Sequence, residues 1–108
     1  MQVLNFYKIG KIIPENAKYI GRKNYKFNLP QSIFANPFPL KEDEPRGTTI
    51  GKYKKWLWEQ LLEEEITKKD ILSLEGYDLV CYCAPLPCHG NVLKSAFDYI
   101  KNHEKDFD

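Results

Sequence analysis

The sequence predicts a compact single α/β domain with a small, mainly parallel sheet flanked by helices. Three observations indicate this fold class. Short β-prone runs occupy the first 20 residues, helical patterns follow from about residue 48, and an apolar run at 79–83 lies between two helical segments. A strand that is apolar on both faces is typical of the inside of an α/β sheet, so we expect this run to be the central strand. With 108 residues, the chain has room for one core of ordinary size, and residues 1–108 are predicted to form one domain.

The first half of the chain predicts two short strands and a long ordered loop. Residues 3–7 and 18–20 combine β-branched and aromatic side chains, which favours strands. Residues 28–46 contain four prolines, which disfavour both a regular helix and an inner strand. Because this loop also carries several large apolar side chains, we expect it to pack on the domain rather than to be disordered.

The second half predicts three helices. Thr48 or Thr49 is expected to cap the first, whose apolar stripe runs to about residue 64. Thr67 and Asp70 form a capping-box pattern that opens a short helix at 68–75, and Gly76 ends it. The last helix is indicated by a stripe of apolar residues at helical spacing, which consists of Leu93, Ala96, Phe97 and Ile100. A charged tail follows at about 102–108.

Charge and hydropathy exclude some classes of protein. Sixteen basic and fifteen acidic residues give a formal net charge of +1, which argues against binding to nucleic acid by bulk electrostatics. Residues 1–28 are nevertheless locally basic, with six Lys or Arg against one Glu, so nucleic acid is kept as a less favoured partner. The apolar runs are too short to span a bilayer and the N-terminus lacks a signal-peptide pattern, so we expect a cytoplasmic protein with no membrane partner.

The cysteines form a Cys-x-Cys-x4-Cys-His cluster that has three functional interpretations and one structural one. Cys81, Cys83, Cys88 and His89 match the ligand types of a structural zinc site. The start of the last helix, from Cys88 through His89 and Gly90 to Asn91, is equally suited to bind an anion. Cys88 and His89 are also candidate catalytic residues, as a nucleophile and its base, if both side chains turn inward. The alternative without function is that Cys81 and Cys83 are small core residues, Cys88 caps the helix and His89 lies on the surface.

Two further segments carry candidate binding residues. Gly21 and Arg22 follow the second strand, and the arginine suits a phosphate or carboxylate. Asn36 is held extended by the following proline, and the flat rings of Phe34 and Phe38 on either side of it are candidates to stack on a base. The equally favoured alternative is that the two phenylalanines anchor the loop in the core and that Asn36 starts a turn. Arg46, before the first long helix, is a second candidate for an anion. Trp56 and Trp58 lie on different sides of that helix, so at least one is expected at the surface or an interface, and a homo-oligomer stays open.

The order of these blocks resembles a family of small domains of unknown function found in bacteriophage and bacterial genomes. The resemblance runs from about residue 18 to residue 100, and its most specific blocks are Asn-Pro-Phe and Cys-x-Cys-x4-Cys-His. It implies a phage or bacterial intracellular protein, and it implies no particular reaction. The family's marked residues fall on Gly21, Arg22, Asn36, Pro37, Phe38, Arg46, Cys81, Cys83, Cys88 and His89.

Three functions follow from these patterns. The favoured one is a module that binds a nucleotide or nucleotide-derived anion at the carboxyl edge of the sheet, with sequestration of a host defence signal as its role in a phage. The second is an enzyme acting on nucleotides or nucleobases through Cys88 or His89, for which the sequence offers no convincing partner carboxylate. The third is an interaction or nucleic-acid-binding module stabilised by zinc.

Overall fold

A computed structural model describes residues 1–38, 45–82 and 88–103 of the chain, without the side chain of Arg46. The elements follow one another in the order strand, strand, helix, helix, strand, helix. They are β1 (Val3–Asn5), β2 (Ala17–Tyr19), α1 (Arg46–Leu62), α2 (Lys68–Leu72), β3 (Asp78–Cys81) and α3 (His89–Asn102).

The three strands form one parallel sheet in the order β1-β3-β2. Val80 of the central strand is in register with Leu4 on one side and with Tyr19 on the other. The predicted small parallel sheet with a central late strand is therefore confirmed. In the structure this strand covers Asp78–Cys81, and the predicted final position, Cys83, lies outside the described residues.

The two faces of the sheet are covered by different parts of the chain. Leu79 and Cys81 point to one face, where they pack with core residues of all three helices. Val80 points to the opposite face and packs with Phe6, under loop segments that include residues 9–13 and 27–29. This division follows from the alternation of side chains along a strand. The sheet is thus flanked by helices on one face and by a layer of loops on the other.

The starts of α2 and α3 lie where the sequence predicts them, and the start of α1 does not. Thr67 and Asp70 form the predicted capping box, with reciprocal bonds of 3.0 and 2.9 Å. The predicted caps of α1 were wrong, because this helix begins at Arg46 behind Pro45, and the Thr48 amide already bonds to the Pro45 carbonyl. Proline suits such a position since its missing N–H removes an unpaired donor. The short helix ends at Leu72 rather than at the predicted residue 75, with Ser73 as its C-cap, and Gly76, with a φ of +84°, forms a left-handed turn beyond the helix end.

Neither end of the described chain adds a further element. The last helix continues through Asn102, and the charged tail from residue 104 lies outside the described residues. None of the described helices is both long and apolar enough to cross a bilayer.

Candidate functional site

The candidate site lies where the second strand ends and the last helix begins. The backbone leaving β2 passes through Ile20 and Gly21 to Arg22, and the loop at 32–38 folds back onto this turn. The Ser32 amide donates to the Gly21 carbonyl over 3.1 Å, which fixes the loop beside the turn. His89, the first residue of α3, reaches the same turn through its side chain. We call Gly21, Arg22, Asn36, His89 and Gly90 the sheet-edge site.

His89 is a buried part of this site, with 8% of its surface exposed. Its Nε2 atom lies 2.8 Å from the Ile20 carbonyl oxygen. Since a carbonyl only accepts, Nε2 carries the hydrogen, and Nδ1 holds the lone pair when the ring is neutral. The imidazole ring also meets the Tyr53 ring edge-on, with centroids 5.1 Å apart. The sequence-based alternative that placed His89 on the surface is therefore wrong.

The pKa of His89 is lowered from its usual value. Burial is the main cause, the positive charge of Arg22 adds to it, and the bond to the Ile20 carbonyl partly opposes both. A buried imidazole loses hydration when it takes up a proton, so the neutral form is favoured. His89 therefore contributes a neutral ring to the sheet-edge site at neutral pH.

Arg22 supplies the fixed positive charge of the site. Its Nε atom donates to the Asn36 carbonyl oxygen over 2.8 Å, and the Tyr19 hydroxyl donates to the Arg22 carbonyl. This leaves the two terminal amino groups of the guanidinium as the part that faces outward on an exposed side chain. Arg22 and Asn36, which are 14 residues apart, are thus brought together beside His89.

The loop at 32–38 is held mainly by its own backbone and by α1. Phe34 is 7% exposed and belongs to the core, and its carbonyl accepts a 2.8 Å bond from the buried Tyr53 hydroxyl. Asn36 Oδ1 accepts from the Phe38 amide over 2.9 Å, which is an Asx turn. Phe34 is therefore the core anchor, Asn36 shapes a turn, and Phe38 stays half-buried at the edge of the site.

The two glycines of the site leave space for neighbouring side chains. A Cβ atom at Gly90 would lie 2.9 Å from Val3 Cγ1 and 3.1 Å from Ile20 Cδ1. At Gly21 it would lie 2.5 Å from the Tyr19 hydroxyl oxygen. Real Cβ atoms essentially never lie within 3.0 Å of another atom, so a methyl group at Gly90 would displace Val3 and one at Gly21 would displace the end of the Tyr19 side chain.

The cysteines join the end of β3 to the start of α3. Cys81 Sγ and Cys88 Sγ lie 3.2 Å apart, both side chains are buried, and no disulfide joins them. Asn91 closes the helix start, since its Oδ1 accepts from the Cys88 amide over 2.9 Å. Because Cys88 contacts Cys81 while His89 contacts the Ile20 carbonyl, the structure gives this pair separate partners rather than a nucleophile–base bond.

The sulfur atoms of Cys81 and Cys88, two of the predicted zinc ligands, lie closer together than a tetrahedral zinc site places them. Two thiolates on one zinc ion are roughly 3.8 Å apart, given Zn–S bonds of about 2.3 Å, and the observed sulfur atoms are closer. His89 would have to bind through Nδ1, because Nε2 is bonded to a carbonyl. Within residues 1–38, 45–82 and 88–103, no group of three or more His, Cys, Asp or Glu side chains is placed to hold a metal. Cys83, the fourth candidate, lies outside these ranges, so the zinc site remains a prediction.

One predicted ligand lies outside the described side chains, and one residue that shapes the site was not predicted from the sequence. The side chain of Arg46, a predicted anion ligand, is not among those described. Tyr53, which contacts both His89 and the 32–38 loop, was read from the sequence only as part of the α1 stripe. Burial raises the pKa of its hydroxyl, so it acts as a neutral hydrogen-bond donor. A tyrosine on an otherwise apolar stripe is the signal that could have identified it, since a buried hydroxyl needs a partner.

The two tryptophans of α1 lie outside the sheet-edge site. Trp56 packs on the core and Trp58 is half-buried against Tyr99.

Comparison with known proteins agrees with the resemblance seen in the sequence. The family model described as "Domain of unknown function (DUF4326)" matches residues 6–99. A relative in Enterobacteria phage T4, the "Uncharacterized 12.4 kDa protein in nrdA-td intergenic region", is 28% identical over 89 residues, which cover 82% of this chain and 81% of the phage protein. No solved structure matches the chain. Since the family model spans the sheet-edge site, α1, α2 and most of α3, the chain belongs to the DUF4326 family, a family of domains of unknown function.

Proposed function

We propose that the protein binds a nucleotide or nucleotide-derived anion at the sheet-edge site. The observation that supports this most is that Arg22, bonded to the Asn36 carbonyl, lies close enough to the start of α3 for its charge to lower the pKa of His89, at the carboxyl edge of a parallel sheet. In open α/β sheets, ligands bind at this edge. The amides that open a helix of 14 residues add a partial positive charge beside the guanidinium.

The charge of the ligand follows from the groups available. Arg22 supplies a positive charge, whereas burial favours the neutral form of His89 by lowering its pKa. An anionic group would therefore be held by the guanidinium fork and the helix amides, while His89 Nδ1 would accept a hydrogen bond from a hydroxyl or amino group. Such a mixture of an anion with hydrogen-bond donors is the chemistry of a nucleotide.

Phe38 is the candidate to contact the base of such a ligand. Phe38 is half-buried and follows the Asx turn of Asn36 directly, so its ring is the best candidate to stack on a base. Phe34 is unsuited to this because it is buried in the core.

The proposed role in a phage is sequestration of a host signal. A phage protein is among the relatives, and Cys88 and His89 contact separate partners rather than each other, which supports binding over nucleophilic catalysis. A protein that binds a signalling nucleotide without converting it lowers its free concentration by mass action.

The experiment is a binding assay with charge variants. Isothermal titration with AMP, ADP, cyclic di-AMP and inorganic phosphate would be run on the wild type, Arg22→Gln, Arg22→Lys and Lys94→Gln. Lys94 is exposed on α3, so the last variant removes the same charge away from the site. Loss of a charge-assisted hydrogen bond of about 1.5–3 kcal/mol predicts a roughly 10- to 150-fold weaker Kd for Arg22→Gln. Equal affinities for Arg22→Gln and Lys94→Gln would contradict the proposal.

Recovery of the ligand separates binding from catalysis. After overnight incubation with the protein, the bound nucleotide is expected to be recovered unchanged by mass spectrometry. A converted product that forms with the wild type and not with His89→Gln would instead support the enzyme hypothesis.

A further inference from the structure

A groove between α1 and α3 is a separate concavity on the helical side of the domain. Its volume is about 380 Å³, which lies within the range of small-molecule pockets. Val92 and Ala96 of α3 contribute apolar surface, and the aromatic rings and polar groups come from both helices. None of the residues of the sheet-edge site lines it.

Two rings in the groove meet at a right angle. The Trp58 and Tyr99 centroids lie 5.9 Å apart with an interplanar angle of 90°. His103 stacks on the Tyr99 ring at 4.2 Å and hydrogen-bonds to the Tyr99 carbonyl, which fixes this ring in place. A planar ligand ring that stacks on one of these two side chains would be perpendicular to the other and would direct its own edge toward that ring, an edge-to-face arrangement that aromatic groups favour.

The polar groups of the groove are mainly hydrogen-bond donors. Lys54 supplies an ammonium group and Ser95 a hydroxyl. Asn91 already uses its Oδ1 to accept from the Cys88 amide, so its NH₂ group is the part left for a ligand. The part of the chain that the structure describes contributes no Asp or Glu to this lining. The groove therefore favours a ligand with negative charge.

We propose that the groove between α1 and α3 binds a planar aromatic ring that carries an anionic group. The ring lies against Trp58 and Tyr99, and the anionic group is held by Lys54 and the Asn91 amide. This site is distinct from the sheet-edge site, and the proposal does not depend on the proposed function.

The test uses the intrinsic fluorescence of Trp58. Trp56→Phe leaves Trp58 as the chain's single tryptophan, and circular dichroism checks that this background folds. AMP, adenosine and inorganic phosphate are the probes. AMP is expected to quench the emission and to bind about tenfold or more tightly than adenosine, because adenosine lacks the anionic group.

Variants in this background assign the binding to the groove. Lys54→Gln is expected to bring the affinity for AMP close to that for adenosine, and Tyr99→Leu is expected to weaken both. Lys94→Gln and Arg22→Gln are expected to leave the quenching unchanged, because neither residue lines the groove.

Three results would overturn the proposal. The first is the absence of quenching by AMP at millimolar concentration, and the second is equal affinity for AMP and adenosine. The third is AMP binding that is lost in Arg22→Gln and kept in both Lys54→Gln and Tyr99→Leu, which would assign the nucleotide to the sheet-edge site instead.

Discussion

Gly90 gives the sharpest test of how closely α3 approaches the sheet. It is the second residue of the helix, and a Cβ atom there would lie 2.9 Å from Val3 Cγ1 and 3.1 Å from Ile20 Cδ1. Both neighbours belong to or directly follow edge strands. Gly51, inside α1, is the matched control because no atom lies within 4 Å of its Cβ position. The perturbation is therefore the same methyl group, added in Gly90→Ala and in Gly51→Ala.

The expected magnitudes follow from two opposing effects. Alanine is favoured over glycine inside a helix by about 0.5–1 kcal/mol, so Gly51→Ala should stabilise the protein by about that amount. Gly90→Ala gains no more than this, while overpacking a well-filled site costs about 1–3 kcal/mol. Because Val3 is β-branched, its methyl group has little freedom to move away. The difference between the two variants should therefore be roughly 1–3 kcal/mol, with Gly90→Ala the less stable.

Thermal unfolding followed by circular dichroism measures this difference. In a domain of this size, 1 kcal/mol corresponds to about 4–8 °C in Tm. Gly51→Ala is expected to melt above the wild type and Gly90→Ala below it. A Gly90→Ala protein as stable as Gly51→Ala would show that α3 does not pack on Val3 and Ile20 as described, and would leave close approach of a ligand as the reason for the glycine.

Three further perturbations test the histidine, the cap and the cysteine. The pKa of His89 is lowered in the folded state, so the unfolded state binds more protons below about pH 6.5. Tm should therefore fall as the pH drops from 7 toward 5 in the wild type and in His103→Gln, and it should fall less steeply in His89→Gln. Equal slopes of Tm against pH in all three proteins would refute this explanation. Thr67→Ala should lower the free energy of unfolding by about 1 kcal/mol in urea denaturation, whereas Thr48→Ala, inside the first turn of α1, should change it by less than about half of that. Cys88→Ser should lower the free energy of unfolding, measured by calorimetry, by about 1–2 kcal/mol, because the Cys88 thiol contacts the buried Cys81 thiol. A collapse of Tm both in this variant and in chelator-treated wild type would instead identify a structural zinc site.

The sequence predicted the fold well where the pattern was dense. The apolar run at 79–83 identified the central strand, and the stripe from Leu93 to Ile100 identified α3. The capping box of Thr67 and Asp70 was predicted correctly because both partners are local and their spacing is fixed. These signals depend only on neighbours within a few residues, which a single sequence contains.

The parts of the site that depend on long-range contacts could not be predicted. Nothing near His89 in the sequence indicates that its ring bonds to the Ile20 carbonyl, 69 residues away. The reason for Gly90 is equally hidden, because it lies in the side chains of Val3 and Ile20. The start of α1 was missed for a local reason: two threonines offered a familiar cap, while Pro45 opens the helix without a side-chain bond.

The bonds that build the sheet-edge site also hold the domain together. The edge strands are only three residues long, and such short strands contribute few ladder bonds. The irregular chain after β2 is instead held by three hydrogen bonds from side chains to its backbone carbonyl groups. The donors are His89, Arg22 and Tyr53, and the carbonyls are those of Ile20, Asn36 and Phe34, respectively. A substitution in any of these pairs therefore changes both the binding surface and the stability of the loop that forms it. For this reason, the affinities of the Arg22 variants must be compared at equal folded fraction. Lysine restores the positive charge but not the planar guanidinium fork that bonds to the Asn36 carbonyl. Binding that is restored in Arg22→Lys without full recovery of Tm would therefore show that the charge acts on the ligand and that the fork acts on the loop.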